Sequence, residues 1–111
     1  MMHKMNLDIN PFNHIKRGTK TIELRLYDEK GNYWKKRIWL SLQTFEKLMV
    51  EVERLYKYSS FEELYKYFDK IAMGYDENDI ANPKDMEKYY SLDEQKKYGV
   101  LGIEIEVSMW K

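Results

Sequence analysis

Lys20, Glu23 and Arg25 sit together in the run Gly18-Thr19-Lys20-Thr21-Ile22-Glu23-Leu24-Arg25. Each side chain brings a different chemistry. An arginine presents a planar fork of donors suited to phosphate or to the oxygens of a base. A glutamate accepts from an exocyclic amine, as carboxylates do with cytosine. A lysine is a point charge or, once desolvated, a group of lowered pKa with basic character. Together they make a set that could bind a phosphorylated or heteroaromatic ligand, or run acid–base chemistry. The plainer alternative is an ion pair of Glu23 and Arg25 on an exposed strand, worth about 0–1 kcal/mol.

Two elements must position this set. Asn10-Pro11-Phe12-Asn13-His14-Ile15-Lys16-Arg17 reads as a helix, with Asn10 as its cap and Pro11 at a position that has no N–H to lose. Lys16 and Arg17 suit its negative end, and Gly18 can take the left-handed conformation that stops it. From Thr21 to Tyr27 the pattern alternates as a strand does, with Ile22, Leu24 and Leu26 on one face and Thr21, Glu23, Arg25 and Tyr27 on the other. Thr21 and Tyr27 thereby join the candidate ligand-binding residues. Lys20 falls on the opposite parity, so it joins them only if the turn at Gly18 or the strand twist swings it round.

The spacing Gly-x-Lys-x-x-Glu-x-Arg is similar to the signature of the ASCH domain family. Other stretches resemble bacterial members in order along the chain: Leu7 to Phe12, Leu26 to Lys30, Tyr58 to Leu64 and Tyr98 to Ile105. The resemblance implies a PUA-like barrel associated with RNA, with RNA or a modified nucleoside held in a cleft lined by Lys20, Glu23 and Arg25. Some relatives are amidohydrolases acting on acetylated cytidine. Their lysine matches Lys20, while the position of their threonine nucleophile holds Glu23, so Lys20 and Glu23 become the catalytic candidates of an alternative, enzymatic reading. The family's Lys-Val-Gly-Asp-like turn is replaced here by Tyr33-Trp34-Lys35-Lys36. Trp34 and Trp39 suggest a third reading, a protein-interaction scaffold, natural or engineered. Interleaved with Lys35, Lys36 and Arg37, the same tryptophans form a basic–aromatic patch on which unpaired bases could stack, at about 1–3 kcal/mol per base.

The chain as a whole narrows the classes. Its 111 residues suit one domain, 1–111, with residues 1–4 expected to be disordered. A formal net charge of zero supplies no global field for nucleic acid, so binding must rest on a local patch. The absence of cysteine excludes disulfides and thiol catalysis. No apolar run reaches the length of a membrane span and no signal pattern opens the chain, which points to a cytoplasmic protein. His3 lies in the loose N-terminal stretch, His14 sits in a helix with no acidic or cysteine partner at ligand spacing, and Asp76, Glu77 and Asp79 lack the glycine and closing glutamate of a calcium loop, so neither metal nor cofactor is expected.

Periodicity fills in the remainder. Strands are expected at Met5 to Ile9, Arg37 to Leu42 and Val100 to Trp110, the last with Leu101, Ile103, Ile105, Val107 and Met109 inward, and a turn at Asp28 to Asn32. Residues 45–58 carry a helical stripe (Phe45, Leu48, Met49, Val52, Leu55, Tyr56), whereas the resemblance implies a hairpin strand after a turn at Gln43 to Lys47; the strand is the expectation taken. Ser60 with Glu63 opens a helix to about Lys70, in which Tyr65, Tyr67 and Phe68 read as packing residues with Tyr56 and Tyr58 before them. An acidic loop follows to Ala81, then a short helix from Asn82-Pro83 to Tyr90. Ser91 with Glu94 opens a last helix that Gly99 ends. The expected fold is α+β, a small mixed β-barrel of PUA-like type with three to four short peripheral helices.

Overall fold

A computed structural model describes residues 3–6, 9–27, 37–41 and 47–110, with side chains at 10–27 and 48–108. The expected turn at Asp28 to Asn32 lies outside these residues, as does the turn expected from Gln43 up to Lys47, the residue at which a strand begins. Five strands, β1 (His3–Asn6), β2 (Ile22–Leu26), β3 (Arg37–Ser41), β4 (Lys47–Tyr58) and β5 (Val100–Trp110), form one sheet in the order β1-β3-β4-β5-β2. β1 runs parallel to β3, and the other pairs are antiparallel. Helices α1 (Ile9–Arg17), α2 (Phe61–Leu64) and α3 (Leu92–Tyr98) and a 3-10 helix (Pro83–Lys88) surround it. Among the described residues no helix is long and apolar enough to cross a membrane.

The expected barrel closure is not seen among the described residues, where β1 and β2 are the two edges of an open sheet. The outer edge of β2 is met by a loop instead of a strand, since the N–H groups of Thr21 and Ile22 both donate to the Ala72 carbonyl at 2.9 Å. The start of that edge is protected in this way without a paired strand. β1 also sits earlier than the Met5 to Ile9 alternation suggested, because α1 already begins at Ile9; Asn10 lies inside the helix and does not cap it.

Both faces of the sheet are covered. On one, Phe12 and Ile15 of α1 pack on Leu48, Val50, Leu101, Ile103 and Ile105. On the other, Ile22, Leu24, Leu26 and Val100 pack on Phe61, Leu64, Met73 and Met86. The consequence for the site is direct: the polar face of β2 looks toward the layer of α1, not into water.

Residues 47–58 form the strand implied by the resemblance, and the helical stripe has a local cause. Glu53 is an extra residue between the pairs Val52–Ile105 and Arg54–Glu104. This bulge switches parity, so the buried face runs Leu48, Val50, Val52 and then Leu55, imitating a helical spacing. The helix from Ser60 stops after Leu64, well short of Lys70. Lys66 and Tyr67 donate to carbonyls three residues back, and the Asp69 carboxylate takes the Ile71 N–H at 3.0 Å, so tight turns replace helical propagation.

α3 forms as its sequence dictates. The Ser91 hydroxyl accepts from Glu94 N at 3.1 Å, and the Glu94 carboxylate accepts from Ser91 N at 3.0 Å. Gly99 ends it at φ +78, where an added Cβ would lie 3.1 Å from the Tyr58 carbonyl oxygen. Replacing Ser91 with alanine is expected to cost about 1 kcal/mol, measurable by urea unfolding with an unchanged m-value.

Candidate functional site

The turn after α1 decides where Lys20 goes. Gly18 adopts φ +84 and donates to Ile15 O at 2.9 Å. The His14 carbonyl then collects three donors: Thr19 N at 3.0 Å, Lys20 N at 3.1 Å and the Thr19 hydroxyl at 3.1 Å. This knot folds residues 18–20 back on the helix and carries Lys20 to the Glu23 side despite its sequence parity. Its ammonium stands 3.4 Å from Glu23 Oε1 and donates to the Met73 carbonyl at 2.9 Å. Arg25 grips the other carboxylate oxygen with two nitrogens, Nε at 2.9 Å and Nη2 at 2.8 Å from Oε2.

The group is not a surface pair. Lys20 is 6% exposed and Glu23 5%. Burial pushes the Glu23 carboxyl up, but Lys20, Arg25 and their hydrogen bonds outweigh it and hold the group below its ordinary value. For Lys20 the burial is the larger influence and lowers its pKa against the attraction of Glu23. The backbone makes room for this cation at Gly74. There φ is +108, and an added Cβ would lie 3.0 Å from Lys20 Cδ and 3.3 Å from Nζ.

Beside the buried group opens a cleft of about 630 Å³. Lys20, Glu23, Leu24 and Arg25 line it, together with Asn10 and Pro11 of α1 and with Tyr65, Tyr75, Asp85, Tyr89 and Tyr90. The tyrosines have their own network. Tyr75 donates to Asp85 Oδ2 at 2.7 Å, which leaves Tyr65 as the donor in the 2.9 Å contact between the two hydroxyls. Burial, with the bond donated to Asp85, pushes the Tyr75 hydroxyl far above its usual range, so it stays a protonated donor. The cleft carries three cations, Lys20, Arg25 and Lys88, against two carboxylates, Glu23 and Asp85.

Of the residues singled out in the sequence, Lys20, Glu23 and Arg25 are brought together and line the cleft. Thr21 and Tyr27 are not among its lining residues. Thr21 is half-buried with its carbonyl accepting from Ile105 N, and Tyr27 is exposed with Lys57 Nζ 4.3 Å above its ring. Arg37 and Trp39 are placed in β3, with their side chains outside the described residues, as are Trp34, Lys35 and Lys36 altogether. His14 does have an acidic partner, one remote in sequence: Nε2 lies 2.8 Å from Asp76 Oδ1. No cluster of potential metal ligands occurs among the described residues. Tyr75 and Asp85 escaped sequence reasoning because nothing in their local spacing ties them to the motif. Tyr65, read as packing, packs and lines the cleft at once.

The ASCH domain model matches residues 5–108. A crystal structure of a hypothetical protein, PH0355, is similar over 96% of this chain and 99% of its own, at 32% identity and a TM-score of 0.74. The solution structure of PF0455 from Pyrococcus furiosus is similar over 97% and 98%, at 31% identity and a TM-score of 0.69. No curated protein matches the chain. A glycine-ended helix, a lysine in the turn after it and a glutamate and arginine of the next strand that meet at a cleft are thus found in a chain that belongs to the ASCH domain family.

Proposed function

We propose that this cleft binds a nucleoside unit, free or as part of RNA, in keeping with a family generally associated with RNA. The observation that carries the reading is the fixed guanidinium. Arg25 is held at two points by Glu23, which is itself anchored by Lys20, in a cleft that a set of tyrosines also lines. A donor fork held in one orientation, in a cleft shared with rings and hydroxyls, suits a flat ligand with polar edges. Amide hydrolysis draws less support from this geometry. No serine, threonine or cysteine is among the lining residues, and a carboxylate stabilised by two cations is a weak base.

The test is calorimetric titration with the four nucleosides, their monophosphates and short RNAs, against Arg25→Lys. That variant keeps a charge beside Glu23 and loses the planar fork. Affinity is expected to fall by roughly 1.5–3 kcal/mol, about tenfold or more, with the fold intact by circular dichroism. Equal affinity in the two proteins would remove Arg25 from the site. Incubation with acetylated cytidine, following loss of the acetyl group, checks the hydrolytic alternative directly.

A further inference from the structure

The sheet continues past the cleft to a second group of cations and rings. Arg25 and Lys57 both register with Leu101, so they stand in one row on one face, two strands apart, about 9–10 Å. Tyr27, just past the end of β2, follows Arg25 by two residues, about 7 Å along the extended chain and on the same face. Lys57 Nζ lies 4.3 Å over the Tyr27 ring. Tyr27 N donates to Gly99 O at 2.9 Å, which brings the end of α3 alongside, where Lys97 Nζ is 5.1 Å from the centre of the Tyr98 ring. Tyr27 and Tyr98 are 37% and 38% exposed, and Lys57, Lys96 and Lys97 are exposed too. None of these three lysines forms an ion pair with a described residue.

Helix energetics account for part of this arrangement, since lysines at 96 and 97 complement the negative end of α3. They do not account for Lys57, which sits near the end of a strand. Lys57 over Tyr27 and Lys97 beside Tyr98 extend the row of cation and ring that starts at Arg25 of the cleft. Among the described residues, Asp93 and Glu94, one turn back on α3, form no ion pair with these lysines, so the arrangement suits an anionic partner that also stacks. We infer that the ligand is a single-stranded polynucleotide: one nucleoside enters the cleft, and the adjoining phosphates run over Lys57 and Lys97 with a neighbouring base against Tyr27 or Tyr98. An acidic peptide would satisfy the lysines but leave the rings and the continuity with the cleft without a role. This inference rests on the cleft being a nucleoside site.

The experiment compares wild type with a Lys57→Ala, Lys97→Ala double variant. Both positions are exposed, so the fold should tolerate the change. Binding of a labelled twelve-nucleotide RNA of mixed sequence is followed by anisotropy across a salt series, and nucleoside binding by calorimetry. The double variant is expected to bind the RNA about tenfold more weakly at 0.1 M salt, with the salt slope reduced by about 1.4, since each single-strand phosphate contact contributes roughly 0.7. Nucleoside affinity should not change. If the RNA slope and affinity are unaltered, or if wild type binds RNA no better than a nucleoside, the inference fails while the cleft reading stands. Absence of binding to either ligand overturns both. A polyglutamate peptide that competes as well as RNA would show a general acidic-partner surface and also overturn it.

Discussion

Replacing Glu23 with glutamine is expected to destabilise the protein by about 3–5 kcal/mol, the usual result of breaking a buried ion pair from one side. Glutamine fills the same space and can still accept hydrogen bonds. It cannot neutralise the Lys20 ammonium, which is 6% exposed, or the Arg25 guanidinium whose two nitrogens it would face. Against a total stability of about 5–15 kcal/mol this is a large share, equivalent to a fall in Tm of roughly 15–25 °C. Urea unfolding of both proteins measures it. Lys20→Met combined with Glu23→Gln should be less damaging than the sum of the two single changes, because the partners are removed together. The acid limb of the stability profile gives an independent check. The Glu23 carboxyl is held below its ordinary value of 4.5, so the folded state binds its proton less readily than the unfolded chain. Its contribution is therefore complete above pH 4.5 and is lost as pH falls through the lower, folded value; the gap between wild type and E23Q should narrow only there. A cost under 1 kcal/mol would mean that the pair behaves as a solvated surface contact.

That expectation could not have been drawn from the sequence, and the reason is tertiary. Local chemistry made much of the scaffold legible: Gly18 ends α1, Ile22, Leu24 and Leu26 point to one side of β2, and Ser91 with Glu94 starts the helix that Gly99 stops. These are effects of neighbours in the chain. The burial of Glu23 comes instead from α1 packing across a face that alternation marks as polar. The recruitment of Lys20 depends on one carbonyl, that of His14, gathering three donors. Glu53 hid a strand behind helical spacing because a bulge rewrites parity without altering composition. Tyr75 and Asp85 reach the cleft through a loop and a 3-10 helix, whose path is set by the Ala72 and Met73 carbonyls bonding to residues 20–22. A sequence motif can thus name some of the residues that line this site, while the others join them only once the loop has closed.

The closure of that loop is the more specific thing to break, and Gly74→Val should break it. Two costs add at this position. A β-branched residue at φ +108 is strained by about 1–3 kcal/mol whatever surrounds it. Its Cβ would also stand 3.0 Å from Lys20 Cδ and 3.3 Å from Nζ, tighter than ordinary van der Waals contact, so the lysine must give way and its bond to the Met73 carbonyl is disturbed. Disturbing that hydrogen bond to a buried charge costs up to about 3 kcal/mol more, for a total of about 2–5 kcal/mol. Gly18 supplies the control. Its φ is +84, but an added Cβ there meets nothing within 4 Å, so Gly18→Val should show the strain without the collision. A double-mutant cycle separates the two costs: with Lys20 cut back to alanine, the penalty of Gly74→Val should shrink toward that of Gly18→Val. The coupling expected is up to about 3 kcal/mol by urea unfolding, because one side chain fills the space that the other would need. Equal penalties in the two backgrounds would show that loop and lysine do not hold each other, and the wall carrying Tyr75 would then have to be positioned by some other contact.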